Sequence, residues 1–451
     1  MTEIGATTRP AAAVSVPSWK RYTYTTIAAE ISSLTRYYDR LIQWARPAGD
    51  TGILLESIDA PKKQFLEGDF NLDLRGETTT RTAILLNGTL NVRSDIQQLL
   101  QDLRTKLSRT SRVIAVLYNP YYGPLYRAAH RLGLKAGDNP STFITYADLR
   151  NIAKLAGYEI VRVRPAVYSP LRLLGLGTIT NWMIGMVPLL RHLALAAIVV
   201  LRPIGPESSP PSLSISVPAR NESGNIPRIV ERIPRLKGTN EIIFVEGHST
   251  DATWEEIERA AANAHPATRV LALRQSGSGK ADAVRAGMKA ATGDLVVILD
   301  ADLSVPPEDL ALVYDAYCQG HGDFVTGTRL ILPMEVTAMQ FLNKLGNVFF
   351  AKTLTFMLNA RITDALCGTK LLARHDLARF EKWRSDFGDF DPFGDFELLF
   401  PAALLGLGIV DIPVQYRART YGSTNIRRFR DGLRLLRMTR LALFRIKAGR
   451  T

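Results

Sequence analysis

The sequence predicts an α/β protein with two domains, because short apolar runs alternate with amphipathic helical patterns along much of its 451 residues. The alternation is clearest after residue 212, where LSISVPA, EIIFVEG, VLALRQS and DLVVILDAD each precede a helical pattern. A Pro/Ser-rich stretch, RPIGPESSPPS, cannot continue a helix or a central strand and predicts a linker. The expected segments are a flexible tail (1–20), a first domain (21–201), the linker (202–212), a second domain (213–426) and a basic amphipathic helix (427–451).

The amino-acid composition limits the partners and the compartment. A formal net charge of +13 and a pI near 9.7 favour an acidic partner, whether nucleic acid, anionic lipid or a phosphorylated substrate. The two cysteines, Cys318 and Cys367, lack the spacing of a zinc site and cannot build a disulfide framework, so a reducing compartment is expected. The N-terminus lacks a basic start followed by an apolar core and does not predict a signal peptide.

Residues 181–203 form the one apolar stretch that we weigh as a membrane span. Arg191 and His192 divide it, and Pro188 interrupts its first part. A spanning helix needs about 20 predominantly apolar residues, and charges at the middle of a bilayer are costly. We therefore expect a helix or loop followed by a buried strand, LALAAIVVL.

The sequence LVVILDADLSVPPEDL, residues 295–310, predicts a ligand site. LVVIL is typical of a buried central strand, and Asp300 and Asp302 follow where that strand leaves the sheet. Ligands of open parallel sheets bind beyond the carboxyl ends of the strands. Two carboxylates there can hold Mg²⁺ or Mn²⁺ together with the oxygens of a nucleotide diphosphate, and the metal would neutralise a departing diphosphate. Solvated turn residues are the alternative interpretation.

Missing residues exclude two other function classes. GSGK at 277–280 resembles part of a phosphate-binding P-loop, but the earlier glycine is absent and Ala281 replaces the Ser or Thr that binds Mg²⁺. An ATPase is therefore not expected. No recognised nucleic-acid motif or aromatic stacking surface accompanies the basic residues, so no nucleic-acid partner is expected either.

Several stretches carry a family resemblance. SVPARNESGNIPRIVERIP, FVEGHSTDATWEEI, SGSGKADAVRAGMKAATGD and VVILDADLSVPPEDL, in this order, resemble the family 2 inverting glycosyltransferases with the GT-A fold, over most of residues 212–427. GTRL, TDALCGTKLL and IPVQYRARTYGSTNI resemble the dolichyl-phosphate or polyprenyl-phosphate sugar synthases, although Thr424 and Asn425 depart from that subgroup's Ser-Lys ending. The resemblance implies a Rossmann-like GT-A domain that moves sugar from a nucleotide diphosphate sugar to a polyprenyl phosphate.

The resemblance also implies which residues bind the donor and the metal. The implied donor-binding residues are Pro218, Ala219, Asn221, Glu222, Glu246, Asp251, Gly279, Lys280 and Asp300. The implied metal segment is Asp300, Asp302 and Ser304, with Mg²⁺ or Mn²⁺ as the cofactor. Glu246 stands where the family usually has an aspartate that reads the base and ribose, so both uracil and guanine stay open.

The acceptor decides which residues act in catalysis. A lipid phosphate loses its second proton at about pH 6 and is therefore largely a dianion at neutral pH. Such an acceptor needs cations to hold it rather than a base to activate it. Arg329 and Arg419 are the candidates, because a guanidinium can contact two phosphate oxygens, and surface or ion-pair arginines are the alternative. A saccharide hydroxyl would instead need a carboxylate base, which we assign to Asp395. The expected catalytic residues are Asp302, Asp395, Arg329 and Arg419.

The assignment of Asp395 leaves a second role open for the acids around it. FGDFDPFGDFELLF, residues 387–400, precedes or begins a predicted helix. Its acidic residues are Asp389, Asp391, Asp395 and Glu397. Some of them are in position to cap that helix rather than to act on a substrate.

Two segments predict contact with an anionic membrane surface. Residues 427–447 place Arg430, Arg434, Arg437 and Arg440 among leucines and Phe444, which is typical of a basic interfacial helix. A calmodulin-like partner is the alternative. Residues 339–359 carry an apolar stripe that suits either an interfacial helix or one packed on the sheet. We expect a peripheral protein on the cytoplasmic face of the cell membrane.

The first half resembles another family more weakly. TRYYDRLIQWARPAGD, TAILLNGTLN, DIQQLLQDLRTKLSRTSRVIAVLYNP and YADLRNIAKLAGYEIVRVRPAVYSP resemble the later elements of S-adenosylmethionine-dependent methyltransferases. Where that family has its first strand and its Gly-x-Gly-x-Gly turn, this chain has AGDTGILLESIDAPKKQFLEGDF, in which only Gly52 stands near the right place. Without those glycines the backbone cannot approach a cofactor closely. We expect a degenerate methyltransferase-like domain that binds no S-adenosylmethionine and positions the transferase. A saccharide-specific glycosyltransferase, a methyltransferase and a membrane scaffold are the alternative functions.

Overall fold

The computed structural model describes residues 17–44, 52–133, 138–187, 190–238, 240–264, 268–333, 341–358, 360–388, 391, 394–419, 421 and 428–444. The chain divides into two compact units, residues 1–201 and residues 202–451. Each is an α/β unit built around one mostly parallel sheet, so the predicted fold class is confirmed.

The first unit is built on a six-stranded sheet. Its strands are β1 (Arg40–Trp44), β2 (Lys63–Leu66), β3 (Thr82–Asn87), β4 (Arg112–Tyr118), β5 (Tyr158–Ala166) and β6 (Ala196–Pro203). The strand order is β2-β1-β3-β4-β6-β5; β1 pairs in parallel with β2 and β3, β3 pairs in parallel with β4, and β6 runs antiparallel to β4. The helices are α1 (Ser18–Thr35), α2 (Ile53–Ser57), α3 (Thr89–Val92), α4 (Ile96–Arg104), α5 (Gly123–Arg131), α6 (Tyr146–Leu155) and α7 (Leu176–Met186).

The first strand of this sheet lies upstream of the stretch where the resemblance put it. RLIQW forms β1 and is buried after its first residue, whereas the stretch that begins near Gly52 contains α2 and β2. Helix α1 begins at Ser18, inside the segment predicted as a tail, and β6 continues through Pro203, inside the predicted linker. Residues 1–16 lie outside the described residues.

The second unit is built on a seven-stranded sheet. Its strands are β7 (Leu213–Ala219), β8 (Asn240–Glu246), β9 (Thr268–Arg274), β10 (Leu295–Ile298), β11 (Phe324–Thr328), β12 (Lys370–Ala373) and β13 (Ile409–Pro413). The order is β13-β11-β12-β10-β7-β8-β9, and β12 alone among the paired strands described runs antiparallel to its neighbours, β10 and β11. The helices are α8 (Ile226–Arg232), α9 (Thr253–Ala262), α10 (Lys280–Ala290), α11 (Leu310–Cys318), α12 (Phe341–Leu358), α13 (Leu377–Phe387), α14 (Phe396–Leu404) and α15 (Arg428–Ala442).

The apolar runs of the sequence become the centre of this second sheet. Strands β7, β8 and β10 are almost wholly buried, as expected of parallel strands covered by helices on both faces. Their parallel pairing puts their carboxyl ends at one edge of the sheet. The residues that follow these three strands are therefore brought together, and this edge carries the candidate site.

The apolar stretch at 181–203 forms separate short elements. Helix α7 ends at Met186, a 3₁₀ helix covers Leu190–Leu193, and β6 begins at Ala196 as a buried strand. This agrees with the expectation of a helix or loop followed by a strand. Within the described residues, every helix is too short or too polar to reach across a bilayer.

Candidate functional site

The loops after β7 and β8 are joined by hydrogen bonds through the predicted nucleotide-pocket residues. The Asn221 backbone N–H donates to the Ser249 hydroxyl at 3.0 Å, and the Asn221 side-chain oxygen accepts from the Thr250 N–H at 2.8 Å. The Glu222 N–H donates to the Thr253 hydroxyl at 2.9 Å. Asn221 has a φ of 56°, a left-handed conformation that asparagine tolerates better than most residues. The two loops thus form one fixed surface at the sheet edge.

The other predicted pocket residues flank this surface. Pro218 and Ala219 end β7, and the Ala219 carbonyl accepts from the Gly247 N–H at 2.9 Å. Glu246 ends β8, and its buried carboxylate accepts from the Ser249 N–H. Because Glu246 is bonded to its own loop, it helps to fix the turn in which a base-reading residue was predicted.

Asp251 lies between the two loops. It accepts from the N–H groups of Ser223 at 3.3 Å and Thr253 at 3.1 Å, and from the Thr253 hydroxyl. Burial raises its pKa, but these hydrogen bonds outweigh burial and hold the pKa below the ordinary value. Asp251 therefore carries a negative charge at neutral pH.

Asp300 is paired with the lysine of the GSGK loop. Strand β10 ends at Ile298, so Asp300 lies in the turn beyond it, and its Oδ1 is 2.6 Å from Lys280 Nζ. Gly279, with a φ of 88°, directs the chain into α10 so that Lys280 is the first residue of that helix. Burial raises the pKa of Asp300, but Lys280 outweighs it and lowers the pKa; in turn Asp300 raises the pKa of Lys280 against burial. Both groups are charged at neutral pH.

Asp302 is paired with Arg419, which lies in the segment that follows β13. Its Oδ1 accepts from the Ser304 N–H at 2.9 Å, and its Oδ2 is 2.7 Å from Arg419 Nη2. The Ser304 carbonyl accepts from the Arg417 N–H at 2.9 Å, which binds the segment carrying Arg419 to this turn. The two predicted metal-binding carboxylates therefore face different cations of the chain.

The carboxyl group of Glu222 has a raised pKa. It is 8% exposed, and burial raises its pKa to about 7 although Asn225 donates to its carboxylate at 2.7 Å. Asp302 and Asp251 raise the pKa further, whereas Arg419 lowers it. These interactions place Glu222 beside the turn of residues 300–304, which we call the acidic turn. The nucleotide-pocket residues and the predicted metal residues therefore lie in one electrostatic environment.

Arg329 lies at the same edge in a tight ion pair. It follows β11, and its guanidinium contacts Asp364 through Nε at 2.8 Å and Nη2 at 2.9 Å. Asn347 donates to the same carboxylate at 2.7 Å. Burial raises the pKa of Asp364, but Arg329 lowers it to about 2. The structure thus places Arg329 in the ion-pair arrangement that was the alternative to a phosphate ligand, and Asp364 is a residue that sequence reasoning missed.

Asp395 also has a cationic partner that was not predicted. The ammonium group of Lys370, 1% exposed at the start of β12, donates to Asp395 Oδ1 and to the Cys367 carbonyl. Asp395 contributes to raising the pKa of Lys280, so it lies near the acidic turn. Lys370 and Asp364 both fall in TDALCGTKLL, a stretch that carried part of the family resemblance, and their charges were the available signal.

Two other acids of residues 387–400, Asp391 and Glu397, have structural roles. Asp391 Oδ2 accepts from the N–H groups of Phe396 at 2.6 Å and Glu397 at 3.2 Å, so Asp391 caps α14. Glu397 is 3.0 Å from Arg285 Nη1. Asp389 lies outside the described residues. The capping alternative therefore applies to Asp391.

The donor set at the acidic turn suits a hard divalent cation. Asp300 and Asp302 offer carboxylate oxygens, which Mg²⁺ and Mn²⁺ prefer. Gly368 leaves space beside Asp300, because a Cβ at this position would lie 2.2 Å from Asp300 Oδ2. Within the described residues, three or more acidic, histidine or cysteine side chains do not converge as a metal site. A metal held here would take its remaining ligands from a bound diphosphate and water.

A segment after β13 returns across the site, which the sequence did not reveal. The Gln415 N–H donates to Asp309 at 3.0 Å. The Tyr421 hydroxyl lies 2.9 Å from the Ser223 hydroxyl and 3.5 Å from Asp251, and its ring packs against Gly224. We call residues 414–421, of which residue 420 is not described, the return segment. It connects the acidic turn with the loop after β7.

Comparison with known proteins identifies similar sequences for the second unit. Residues 214–379 match the model of the family described as glycosyl transferase family 2. The chain is 30% identical over 221 residues to a dolichyl-phosphate hexose transferase of Haloferax volcanii, covering 49% of this chain and 89% of the relative. It is 33% identical to a dolichol-phosphate mannosyltransferase of Pyrococcus furiosus, covering 30% of this chain and 37% of the relative. It spans 44% of an undecaprenyl-phosphate 4-deoxy-4-formamido-L-arabinose transferase of Proteus mirabilis, at 31% identity and 34% of this chain.

Among solved structures, similarity is found to a glucosyl-3-phosphoglycerate synthase of Mycobacterium tuberculosis in complex with Mn²⁺, UDP and glucosyl-3-phosphoglycerate. The identity is 18% and the TM-score is 0.38, with 52% of this chain and 80% of that chain covered. A likeness of this degree carries no inference about ligands.

Proposed function

The chain belongs to glycosyl transferase family 2 and is a glycosyltransferase, and we propose that it transfers a sugar from a nucleotide diphosphate sugar to a polyprenyl phosphate, with inversion at the anomeric carbon. The names of the relatives, which act on dolichyl or undecaprenyl phosphates, support a lipid phosphate acceptor. The single observation that carries the proposal is the contact of Arg419 with Asp302, because it puts an exposed guanidinium beside the acidic turn.

The donor would bind over the loops after β7 and β8. Pro218, Ala219, Asn221, Glu222 and Glu246 form or fix the surface on which a nucleoside would lie. Mg²⁺ or Mn²⁺, when bound, would neutralise the diphosphate as it leaves. The chain's own part is to supply the metal ligands: Asp300, Asp302 and Ser304. Lys280 adds a fixed positive charge near the same diphosphate.

The acceptor phosphate would meet Arg419. As a dianion, its oxygen attacks the anomeric carbon, a new carbon–oxygen bond forms, and the bond to the diphosphate breaks on the opposite side. No proton has to be removed, so the chain must position and neutralise rather than act as a base. Arg329 stays charged through Asp364 and contributes to the positive potential, since its charge also lowers the pKa of Asp300.

A saccharide hydroxyl acceptor is the weaker alternative. It would need a carboxylate that can accept a proton, and Asp395 was the predicted base. Asp395 Oδ1 instead accepts from the buried ammonium of Lys370, so one of its two oxygens is already occupied. This contact favours an electrostatic role for Asp395, as the partner of the buried Lys370 charge, over a role as a base.

A surface of the second unit suits the membrane that carries such a lipid. Helix α15 buries Leu435, Met438 and Ala442, while Leu433 and Phe444 are exposed. Arg434, Arg437 and Arg440 lie on exposed positions of the same helix. Helix α12, which contacts α15, buries Phe350 and Leu354 and exposes Leu345 and Phe349. We place this surface in the headgroup layer of an anionic cytoplasmic membrane face.

The first unit would be a methyltransferase-like domain without cofactor chemistry. The antiparallel β6 beside parallel β4, and the parallel order β2-β1-β3-β4, support the resemblance. Gly52 begins the short helix α2 rather than a glycine-rich turn. The proposed role is support of the transferase, with no S-adenosylmethionine bound.

The proposal is tested by replacing each carboxylate of the acidic turn. We expect Asp300→Asn and Asp302→Asn each to lower the rate of sugar transfer to a short polyprenyl phosphate by at least about 100-fold, because metal and charge stabilisation are lost. Both variants should also lose the rise in melting temperature that a nucleoside diphosphate with Mn²⁺ gives the wild-type protein.

The matched control is Glu308→Gln in the 3₁₀ helix Pro307–Asp309, which follows the acidic turn. Glu308 is paired with Arg232 at 2.8 Å and should be dispensable for transfer. Circular dichroism would show that all three variants are folded. Transfer at the wild-type rate by both aspartate variants would overturn the proposed function.

A further inference from the structure

The segment between β5 and β6 of the first unit exposes apolar side chains. Leu174 is fully exposed, and Leu176, Ile179 and Met183 of α7 are 64%, 53% and 55% exposed. Trp182 is 42% exposed beside them. We call residues 171–193, described except for 188 and 189, the apolar excursion. A concentration of large exposed hydrophobic side chains on one segment indicates an interaction surface.

Helix α7 turns its polar side toward the protein and its apolar side outward, which is the reverse of the usual orientation of an amphipathic surface helix. Its Asn181 faces inward, where its oxygen accepts from the Tyr168 N–H at 2.6 Å and the Ser169 N–H at 2.8 Å. Its amide donates to the Tyr22 hydroxyl of α1 at 3.0 Å. A Cβ at Gly177 would lie 1.9 Å from the Leu171 carbonyl, so this side of the helix is closely packed. The polar side is therefore fixed to the protein and the apolar side faces outward.

The turn before α7 holds its leucines in an unfavourable backbone conformation. Leu173 and Leu174 have φ values of 44° and 54°, in the left-handed region that leucine rarely adopts. This turn exposes Leu174 completely instead of burying it. Strained residues that persist in a fold concentrate at functional positions.

The charges of the excursion distinguish between two candidate partners, a second copy of the chain and an anionic lipid surface. Residues 160–206 contain no aspartate or glutamate, whereas Arg172 and His192 lie exposed within the excursion. A second copy of the chain that docked through the same segment would bring two acid-free segments together, leaving Arg172 and His192 without a carboxylate from the opposite excursion. An anionic lipid surface offers both an apolar layer for the leucines and phosphates for the cations.

We propose that the apolar excursion is a membrane anchor and that α7 lies in the interface of an anionic bilayer. Helix α7 has 11 residues and is roughly 16 Å long at about 1.5 Å per residue, so it lies in the interface and does not cross a hydrocarbon core of about 30 Å. Trp182 has the amphipathic ring that favours the headgroup level. This anchor belongs to the first unit and is separate from α12 and α15.

The anchor is tested by binding the full chain to vesicles without donor, acceptor or metal. Vesicles of phosphatidylcholine with phosphatidylglycerol should sediment the wild-type protein, and pure phosphatidylcholine should sediment much less. Ile179→Asp combined with Met183→Asp should lower the partition coefficient by at least about tenfold, because two inserted side chains become charged. The matched control, Leu125→Asp with Leu155→Asp, changes two leucines of the same unit that are 57% and 59% exposed outside the excursion, and should bind like the wild type.

A second readout reports the anchor itself, since α15 is also expected to bind lipid. Lipids brominated on their acyl chains should quench the fluorescence of Trp182, and Trp182→Phe should remove most of that quenching. Equal sedimentation of the excursion variant and the wild type would overturn the proposal, as would quenching that survives Trp182→Phe. Sedimentation equilibrium that shows a dimer dissociated by the excursion variant would overturn it in favour of a second copy. Because no sugar is transferred, these outcomes are independent of the proposed function.

Discussion

Three acidic residues of the candidate site each form an ion pair with a cationic residue. Asp300 contacts Lys280, Asp302 contacts Arg419, and Asp395 contacts Lys370. A buried carboxylate without a partner would lose its hydration without a compensating interaction, and each of these three acids has a cation in contact with it. A metal ion that binds Asp302 competes with Arg419, and the guanidinium is then available to another anion.

The first residue-scale prediction concerns this arginine. We expect Arg419→Ala to lower kcat/KM for a polyprenyl phosphate by about 100-fold, because a charge-assisted contact to the attacking phosphate is lost. Binding of a nucleoside diphosphate with Mn²⁺, followed by calorimetry, should be preserved. Arg417→Ala is the matched control, since Arg417 is two positions away and bonds to Gln415 at 2.9 Å. Equal losses in the two variants would contradict an acceptor role specific to Arg419.

The second residue-scale prediction follows from the pKa of Glu222. Burial raises that pKa from an ordinary 4.5 to about 7, so the folded state holds a proton that the unfolded state releases between these values. The contribution of Glu222 to stability is therefore complete below pH 4.5 and is lost as pH rises through about 7. Urea unfolding should show Glu222→Gln gaining roughly 1–3 kcal/mol relative to the wild type between pH 5 and pH 8. A difference that does not change with pH would contradict the raised pKa.

At the scale of single elements, the cap of α14 fixes the position of Asp395. Asp391 accepts from the first backbone N–H groups of this helix, which have no partner within the helix itself. We expect Asp391→Ala to lower the free energy of unfolding by about 1 kcal/mol, measured with urea. Asp391→Asn retains an acceptor and should cost clearly less. If the two variants unfold alike, the capping role is wrong.

The elements also show which features the sequence could predict. Strands β8 and β10 were recognisable because their apolar runs are continuous, and Asp300 and Asp302 could be placed at the sheet edge from the end of such a run. The pairing of Asp302 with Arg419 was not predictable, because it joins residues far apart in the sequence through the return segment. The position of β1 was misjudged for a similar reason, since RLIQW is short and follows directly on a long helical pattern.

At the scale of the whole molecule, the two units are each built on a mostly parallel sheet, but we expect them to bind different ligands. S-adenosylmethionine at millimolar concentration should leave the melting temperature unchanged, because the first unit lacks the glycine-rich turn that a cofactor would need. A nucleoside diphosphate with Mn²⁺ should raise it, by the mass-action effect of a ligand on the folded state. A rise with S-adenosylmethionine would contradict the assignment of a degenerate first unit.

The contact between Tyr421 and Gly224 has a consequence for how the chain tolerates change. A Cβ at position 224 would lie 2.8 Å from the tyrosine ring, closer than two carbon atoms approach without displacement. An alanine at this position would displace the Tyr421 ring, whose hydroxyl lies 2.9 Å from that of Ser223 in the loop after β7. The absence of a side chain at one position thus allows the return segment to lie against that loop.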